Sequence, residues 1–194
     1  MLNILPGEVA EELKLKGTTT ARQFDNVTVP FTDFVNFTKA GERKGPQELV
    51  NVLHACFKAF DDISGKYKIE KIKTVGDAYL AVAGLPIPDP EHAINAVRAA
   101  IEINRFMMER KQKLEDVTFE IRIGLHSGSA VAGIVGVKKY AYDIWGDTVN
   151  TAARMEQNCE PGKINISQTT YELVKDIFNC EYRGEIDAKG KGQL

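Results

Sequence analysis

Two β-rich runs, residues 68–75 and 78–83, are separated by Gly76 and Asp77 alone. So short a Gly-Asp link leaves one economical option, a tight antiparallel hairpin whose glycine supplies the positive φ that such turns need. The hairpin carries Asp77 to the rim of a sheet. Upstream, residues 27–33 form a β-branched and aromatic run that delivers a second carboxylate, Asp33, to its own end. Pro30 inside that run lacks a ladder donor and is expected to distort a central strand.

The segments around these strands read as helices. Pro46 suits a first helical position, and Leu49, Val52, Leu53, Cys56, Phe57 and Phe60 then recur on one face until Gly65. Asp89 can cap a second helix with Pro90 at its first position and Ala93, Ile94, Val97, Ala100, Ile101 and Phe106 as its buried stripe, to about Lys113. Residues 117–126 and 129–135 then alternate as two strands with Gly128 between them. The order β-α-β-β-α-β predicts an α/β (α+β) fold, the ferredoxin-like split unit on a mixed sheet. In that topology the third strand lies between the first two, so Asp33 and Asp77 become neighbours.

A C-terminal α/β extension follows. Residues 140–145 precede a helix capped by Asp147, on which Asn150 and Arg154, four apart, share a face. Residues 164–167 form a short strand, Ser167 caps a third helix to about Val174, and residues 177–186 are expected to return as strand. An aspartate at a strand end is by itself more often a turn residue. Two brought together are the usual means of holding Mg²⁺ against a nucleoside triphosphate.

Composition permits that chemistry. A net charge of −2 over 194 residues argues against a broad nucleic-acid surface but not against a local cationic pocket. Cys56, Cys159 and Cys180 are widely spaced and lack metal-type spacing, so free thiols are expected and no zinc site. Charges interrupt every apolar run before it reaches bilayer length, and residues 2–20 look like a linker entering the domain.

Four blocks carry a resemblance: Phe31-Thr32-Asp33-Phe34-Val35-Asn36-Phe37-Thr38, Lys71-Ile72-Lys73-Thr74-Val75-Gly76-Asp77, Arg122-Ile123-Gly124-Leu125-His126-Ser127-Gly128, and residues 140–154. In this order, from roughly Phe24 onward, the chain resembles the catalytic domain of class III nucleotidyl cyclases, of the bacterial homodimeric adenylyl type. The resemblance implies that residues 24–194 are the catalytic domain, short of its last strand, and that residues 1–23 are the tail of an upstream signalling connector. Asn36 stands where many members have glycine, a mild change because Asn tolerates positive φ.

The implied reaction converts ATP to 3′,5′-cyclic AMP and pyrophosphate. By resemblance, Asp33, Asp77 and the Phe34 carbonyl hold two Mg²⁺ or Mn²⁺ ions, and the backbone around Phe37 and Thr38 receives phosphate oxygens. Arg122 and Lys189 match the triphosphate-binding cations, with Lys191 close by. Lys73 and Asp143 match the purine-selecting pair, while Asn150 and Arg154 match the pair that orients the ribose and stabilises transition-state charge. Guanylyl members carry Glu and Cys or Ser at the purine positions, so a guanylyl cyclase fits less well. The implied assembly is a homodimer with two shared sites, Asp33, Asp77 and Arg122 from one chain and Lys73, Asp143, Asn150, Arg154 and Lys189 from its partner. A domain working in the cytoplasm under an upstream sensor, in a parent protein that can be membrane-attached, completes the expectation. Pro30 motivates an alternative, a catalytically weak dimerisation and nucleotide-sensing module.

Overall fold

The computed structural model describes residues 5–37, 45–114, 119–136, 140–188 and 192–193. Thr38, Lys189 and Lys191 lie outside these described residues. The chain runs α1 (Gly7–Lys16), β1 (Arg22–Phe34), α2 (Pro46–Lys66), β2 (Ile69–Val75), β3 (Ala78–Ala83), α3 (His92–Leu114), β4 (Ile121–Val135) and β5 (Ala141–Trp145). It continues through α4 (Asp147–Gln157), β6 (Ile164–Ile166), α5 (Gln168–Val174) and a small ribbon of β7 (Asp187–Ala188) and β8 (Gly192–Gln193).

The main sheet has the order β2-β3-β1-β4-β5, with β6 parallel on the free edge of β4. As expected of the split unit, β3 lies between β1 and β2 and runs antiparallel to both. Gly76 and Asp77 form the hairpin turn between Val75 and Ala78, and Gly76 has φ 64°. Helices α2 and α3 cover one face through Val52, Cys56, Phe60, Ala93, Ala96, Val97, Ala100, Ile103 and Met107. The opposite face packs Val27, Val29, Leu80, Val82, Ala130 and Ala132 against Ala152 of α4 and Val9 of α1.

Several boundaries differ from the sequence expectation. Residues 121–135 are one continuous strand, not two, and Gly128 marks close packing: a Cβ there would sit 2.6 Å from Thr148 Oγ1 of α4. Helix α3 begins at His92, because Asp89 Oδ1 accepts from the Glu91 N–H and its other oxygen from Asn95 Nδ2, holding residues 90–91 in a turn. Ile101 on α3 faces outward, and Ile103 and Met107 fill the core instead. At α4, Gly146 takes the N-cap position and Asp147 is the first helical residue. Ser167 does cap α5, accepting from the Thr170 N–H. Residues 179–186 form no strand, since the β4 edge is already occupied by β6 at 123–125 and by β5 at 131–135.

Pro30 does not break β1. The ladder to β4 runs through Pro30↔Leu125 without a shift, and pairing to β3 resumes on either side at Thr28↔Ala83 and Phe31↔Leu80. The missing donor therefore faces β3, where one ladder bond is forgone. Asn36 takes φ 58°, the left-handed conformation that Asn accepts. All three cysteines are free.

Among the described glycines the tightest approach is at Gly124, where a Cβ would meet the Glu156 backbone nitrogen at 2.0 Å and the Met155 carbonyl carbon at 2.6 Å. Helix α4 rests directly on the backbone of β4 there. Asn165 on β6 locks the same turn by donating to the Met155 carbonyl at 2.9 Å. Gly124→Ala should therefore lift the helix off the sheet, lowering stability by about 3 kcal/mol. A thermal melt that left Tm within about 2 °C of the parent would contradict this packing.

Candidate active site

Alternation along β1 turns Val27, Val29, Phe31 and Asp33 to the face that bears α4, while Phe34 points to the other. The Phe34 ring is buried among Phe37, Phe57, Phe60 and Phe119, with centroids 5.4–6.4 Å away. This aromatic cluster anchors the strand exactly where Asp33 leaves it open to solvent on the other side. Phe37 packs on Phe119 at 5.2 Å and so ties the turn after the strand to the same cluster.

One step beyond the Thr32↔Tyr79 pair, the ladder sets Asp33 beside the β2–β3 turn that carries Asp77. Burial raises the Asp77 carboxyl above its ordinary range, and the negative charge of Asp33 raises it further. Two carboxylates that repel each other fit a cation between them. Among the described residues no group of three or more His, Cys, Asp or Glu side chains gathers around a point. A two-carboxylate site of this kind suits Mg²⁺, which keeps several ligand positions for water and substrate phosphates.

Arg122 lies directly across the ladder from Asp33 and donates from Nη2 to Asp33 Oδ2 at 3.0 Å. Its Nε is 2.8 Å from Oε1 of Glu156, in an ion pair without hydrogen-bond alignment. Glu156, in the last turn of α4, is only 3% exposed. Burial pushes its carboxyl up to about 7, with Asp33 and Asp77 adding to the rise and Arg122 opposing it. Sequence reading passed over Glu156, because an acidic residue near a helix end ordinarily faces water. The signal that could have found it is Gly124, whose missing side chain lets α4 sit low enough to bury it.

A second cluster is built from distant strands. Lys73 of β2 and Asp143 of β5 lie at opposite ends of the strand order, yet Lys73 Nζ is 2.5 Å from Asp143 Oδ2. The outer parts of β4 and β5 thus fold over the face of the sheet to reach β2. A bulge aims the lysine: Lys71 pairs with Ala81 and Lys73 with Leu80, leaving Ile72 extra. Without it, Lys71 and Lys73 would share a face. Instead Lys71 reaches Asp61 of α2 at 2.8 Å on one side, and Lys73 reaches Asp143 on the other. Asp143 Oδ1 is held in turn by the Ile144 N–H at 2.9 Å.

Asn150 is exposed on α4, and Arg154 one turn later is half-buried with Nη1 donating to Gln157 Oε1 at 2.6 Å. Three groupings therefore emerge from the sequence-predicted residues. Asp33, Asp77 and Arg122 form one, Lys73 and Asp143 a second, and Asn150 and Arg154 a third on their own helix.

The Asp77 shift has a measurable consequence in metal-free protein. Its folded-state proton affinity exceeds the unfolded one, so between the ordinary carboxylate range and the raised value stability falls as pH rises. Asp77→Asn removes the repulsion and should raise the Tm of the chelator-treated protein at neutral pH by about 2–4 °C while flattening that pH dependence. An unchanged or lowered Tm across pH 4–7 is the opposing result.

Residues 19–194 match the family model of the adenylate and guanylate cyclase catalytic domain. Over its full length the chain is 41% identical to the receptor-type guanylate cyclase gcy-13 of Caenorhabditis elegans, covering 19% of that protein. It is 37% identical to an adenylate cyclase of Mycobacterium tuberculosis, again over the whole chain and 44% of the relative. The chain thus spans less than half the length of either relative. The catalytic core of a rhodopsin-guanylyl cyclase with converted specificity, in complex with ATPalphaS, superposes with a TM-score of 0.84 at 36% identity, covering 91% of this chain and 95% of that one. The adenylyl cyclase CyaB of P. aeruginosa gives a TM-score of 0.84 at 30% identity over 90% of this chain and 94% of that one.

Proposed function

Because this chain belongs to the adenylate and guanylate cyclase catalytic domain family, we propose that it cyclises ATP to 3′,5′-cyclic AMP and pyrophosphate at two sites shared within a homodimer. Guanylate and adenylate relatives match at comparable identity, 41% and 37%, so membership alone leaves the base open. The observation that carries the choice of ATP is the Lys73–Asp143 pair. Adenine offers an acceptor at N1 and a donor at N6, which an ammonium and a carboxylate held side by side can meet together. Guanine presents the reverse pattern and would leave both groups unpaired in a closed site, a strong ground for rejection.

In the reaction the ribose 3′-oxygen forms a bond to the α-phosphorus, the bond from that phosphorus to the pyrophosphate oxygen breaks, and the hydroxyl proton passes to solvent. Asp33, Asp77 and the Phe34 carbonyl would hold two Mg²⁺ or Mn²⁺ ions, which when bound lower the pKa of the attacking hydroxyl and neutralise the triphosphate. Arg122 reaches toward the β- and γ-phosphates, with Lys189 from the partner and the backbone near Phe37 and Thr38 as further phosphate contacts. Asn150 orients the ribose. Arg154 donates to the oxygens that gain charge in the transition state.

The groupings support the division between chains that the family resemblance implies. Asp33, Asp77 and Arg122 form a phosphate half, whereas Lys73, Asp143, Asn150 and Arg154 form a base and transition-state half, to be completed by a second copy in a closed two-fold arrangement. Residues 1–23, which include α1, act as the connector to an upstream sensor in a longer parent, and residues 24–194 as the catalytic domain. No helix among the described residues is long and apolar enough to cross a membrane. We assign the domain to the cytoplasm and any membrane attachment to the parent.

Purified protein with Mn²⁺ should turn ATP over faster than GTP, and Lys73→Glu with Asp143→Cys should reverse the order. Faster GTP turnover by the parent chain would overturn the base assignment. Arg154→Ala should lower kcat by roughly 10²–10³. Mixing that chain with Asp33→Ala should restore activity that neither has alone, since one of the two heterodimer sites is then intact. A mixture that stays inactive while heterodimers demonstrably form rules out shared sites.

A further inference from the structure

Glu156 is a buried carboxylate that the proposed reaction does not use. It occupies the last turn of α4, where the helix dipole disfavours negative charge, and its side chain is 4% exposed. Taking a carboxylate out of water is costly, and an apolar side chain of similar volume is often the more stable choice at such a position. The residue is nevertheless held hard against the sheet by the Gly124 contact, with Oε1 2.8 Å from Arg122 Nε and, among the described residues, without a hydrogen bond to that oxygen.

Among the described residues Arg122 makes ion pairs with two carboxylates that make different demands. Asp33 takes a terminal nitrogen, Nη2, at 3.0 Å, whereas Glu156 sits at Nε on the inner edge of the guanidinium. Asp33 is needed by cations and is only partly buried, while Glu156 lies behind the site on the α4 side. Release of Asp33 to a cation would free the terminal nitrogens of Arg122, and a guanidinium held only from behind then presents them outward. We propose that Glu156 is a positioning residue, which retains Arg122 by its Nε edge so that its terminal N–H groups face the triphosphate, and then the departing pyrophosphate, rather than collapsing onto Asp33.

The proposal rests on the reading of Arg122 as a phosphate ligand. In Glu156→Gln the inner anchor is lost, so KM for metal–ATP should rise about tenfold and inhibition by added pyrophosphate should weaken by a similar factor, with kcat within about threefold of the parent. Glu156→Met, which removes the buried charge at similar volume, should show the same KM rise without a fall in Tm. It also serves if the glutamine variant fails to fold. Adding Glu156→Gln to Arg122→Met should change KM no further. An unchanged KM in both Glu156 variants, or a fully additive effect on the Arg122→Met background, overturns the proposal.

The two-chain arrangement locates the effect. In a large excess of Arg154→Ala chains, a Glu156→Gln chain contributes only its base half to the working site, and KM should return to the parent value. In a large excess of Asp33→Ala chains it contributes the phosphate half, and KM should stay high. The opposite pattern means that Glu156 acts through α4 on Arg154, and a raised KM in both mixtures means a general structural defect; either result ends the proposal. The mixture of Asp33→Ala with Arg154→Ala is the control for shared sites. If that control is inactive, shared sites fall independently, and the homodimer KM, the pyrophosphate inhibition and the Arg122→Met background decide for or against Glu156.

Discussion

The antiparallel ladder between β1 and β4 is the constraint on which the remaining geometry depends. It runs from Arg22↔Ala132 to Phe34↔Ile121, shifts once between Phe24 and Val27, and then holds register to the end. Because side chains alternate with a period of two, that register sets Asp33 and Arg122 opposite each other on one face and Phe34 and Ile121 on the other. A slip by one residue would drive the aspartate into the aromatic core. The register is further pinned by polar groups inside the sheet: Thr28 Oγ1 lies 2.7 Å from both Ser127 Oγ and His92 Nδ1, and Ser127 Oγ continues to Thr170 Oγ1 at 3.0 Å. This chain of hydroxyls satisfies itself only in one alignment of β1, β4, α3 and α5.

Helix α4 is the second member of the frame, and it works by nearness. Two glycines on β4, Gly124 and Gly128, let its backbone and the Thr148 hydroxyl approach closer than any side chain would permit. The same helix therefore presents Asn150 and Arg154 outward and Glu156 inward to Arg122. Residues serving opposite halves of the proposed site are thus only a few backbone atoms apart within one chain.

What could be read from sequence was what local chemistry decides. The Gly76-Asp77 turn, the Pro46 start of α2, the Ser167 cap and the order of the core strands follow from short-range rules, and each is found in the structure. Glycine at 128 was misread as a break, because a glycine needed for close packing and one needed for a turn look alike until the partner is known. Residues 179–186 have the composition of a strand, but the β4 edge is taken by β5 and β6. Ile101 follows the helical repeat, yet it lies beyond the width of the stripe that the sheet covers. Within the site, the neighbourhood of Asp33 and Asp77 was derivable from topology. The Lys73–Asp143 contact was not, since it needs a bulge at Ile72 and a strand pair that folds over the sheet; only family resemblance joined those two residues. Glu156 was invisible for the same reason as Gly128.

The Lys73–Asp143 contact also bears on how such a pocket can change over evolutionary time. The two side chains neutralise each other at 2.5 Å, so the order in which they are replaced matters. Exchanging Lys73 for an acid first sets two carboxylates face to face on strands that must stay close, a repulsive intermediate. Exchanging Asp143 for a small neutral residue first leaves a lysine that is already 45% exposed and can turn to water. The proposed base-selecting pair is therefore more easily exchanged with β5 changing before β2.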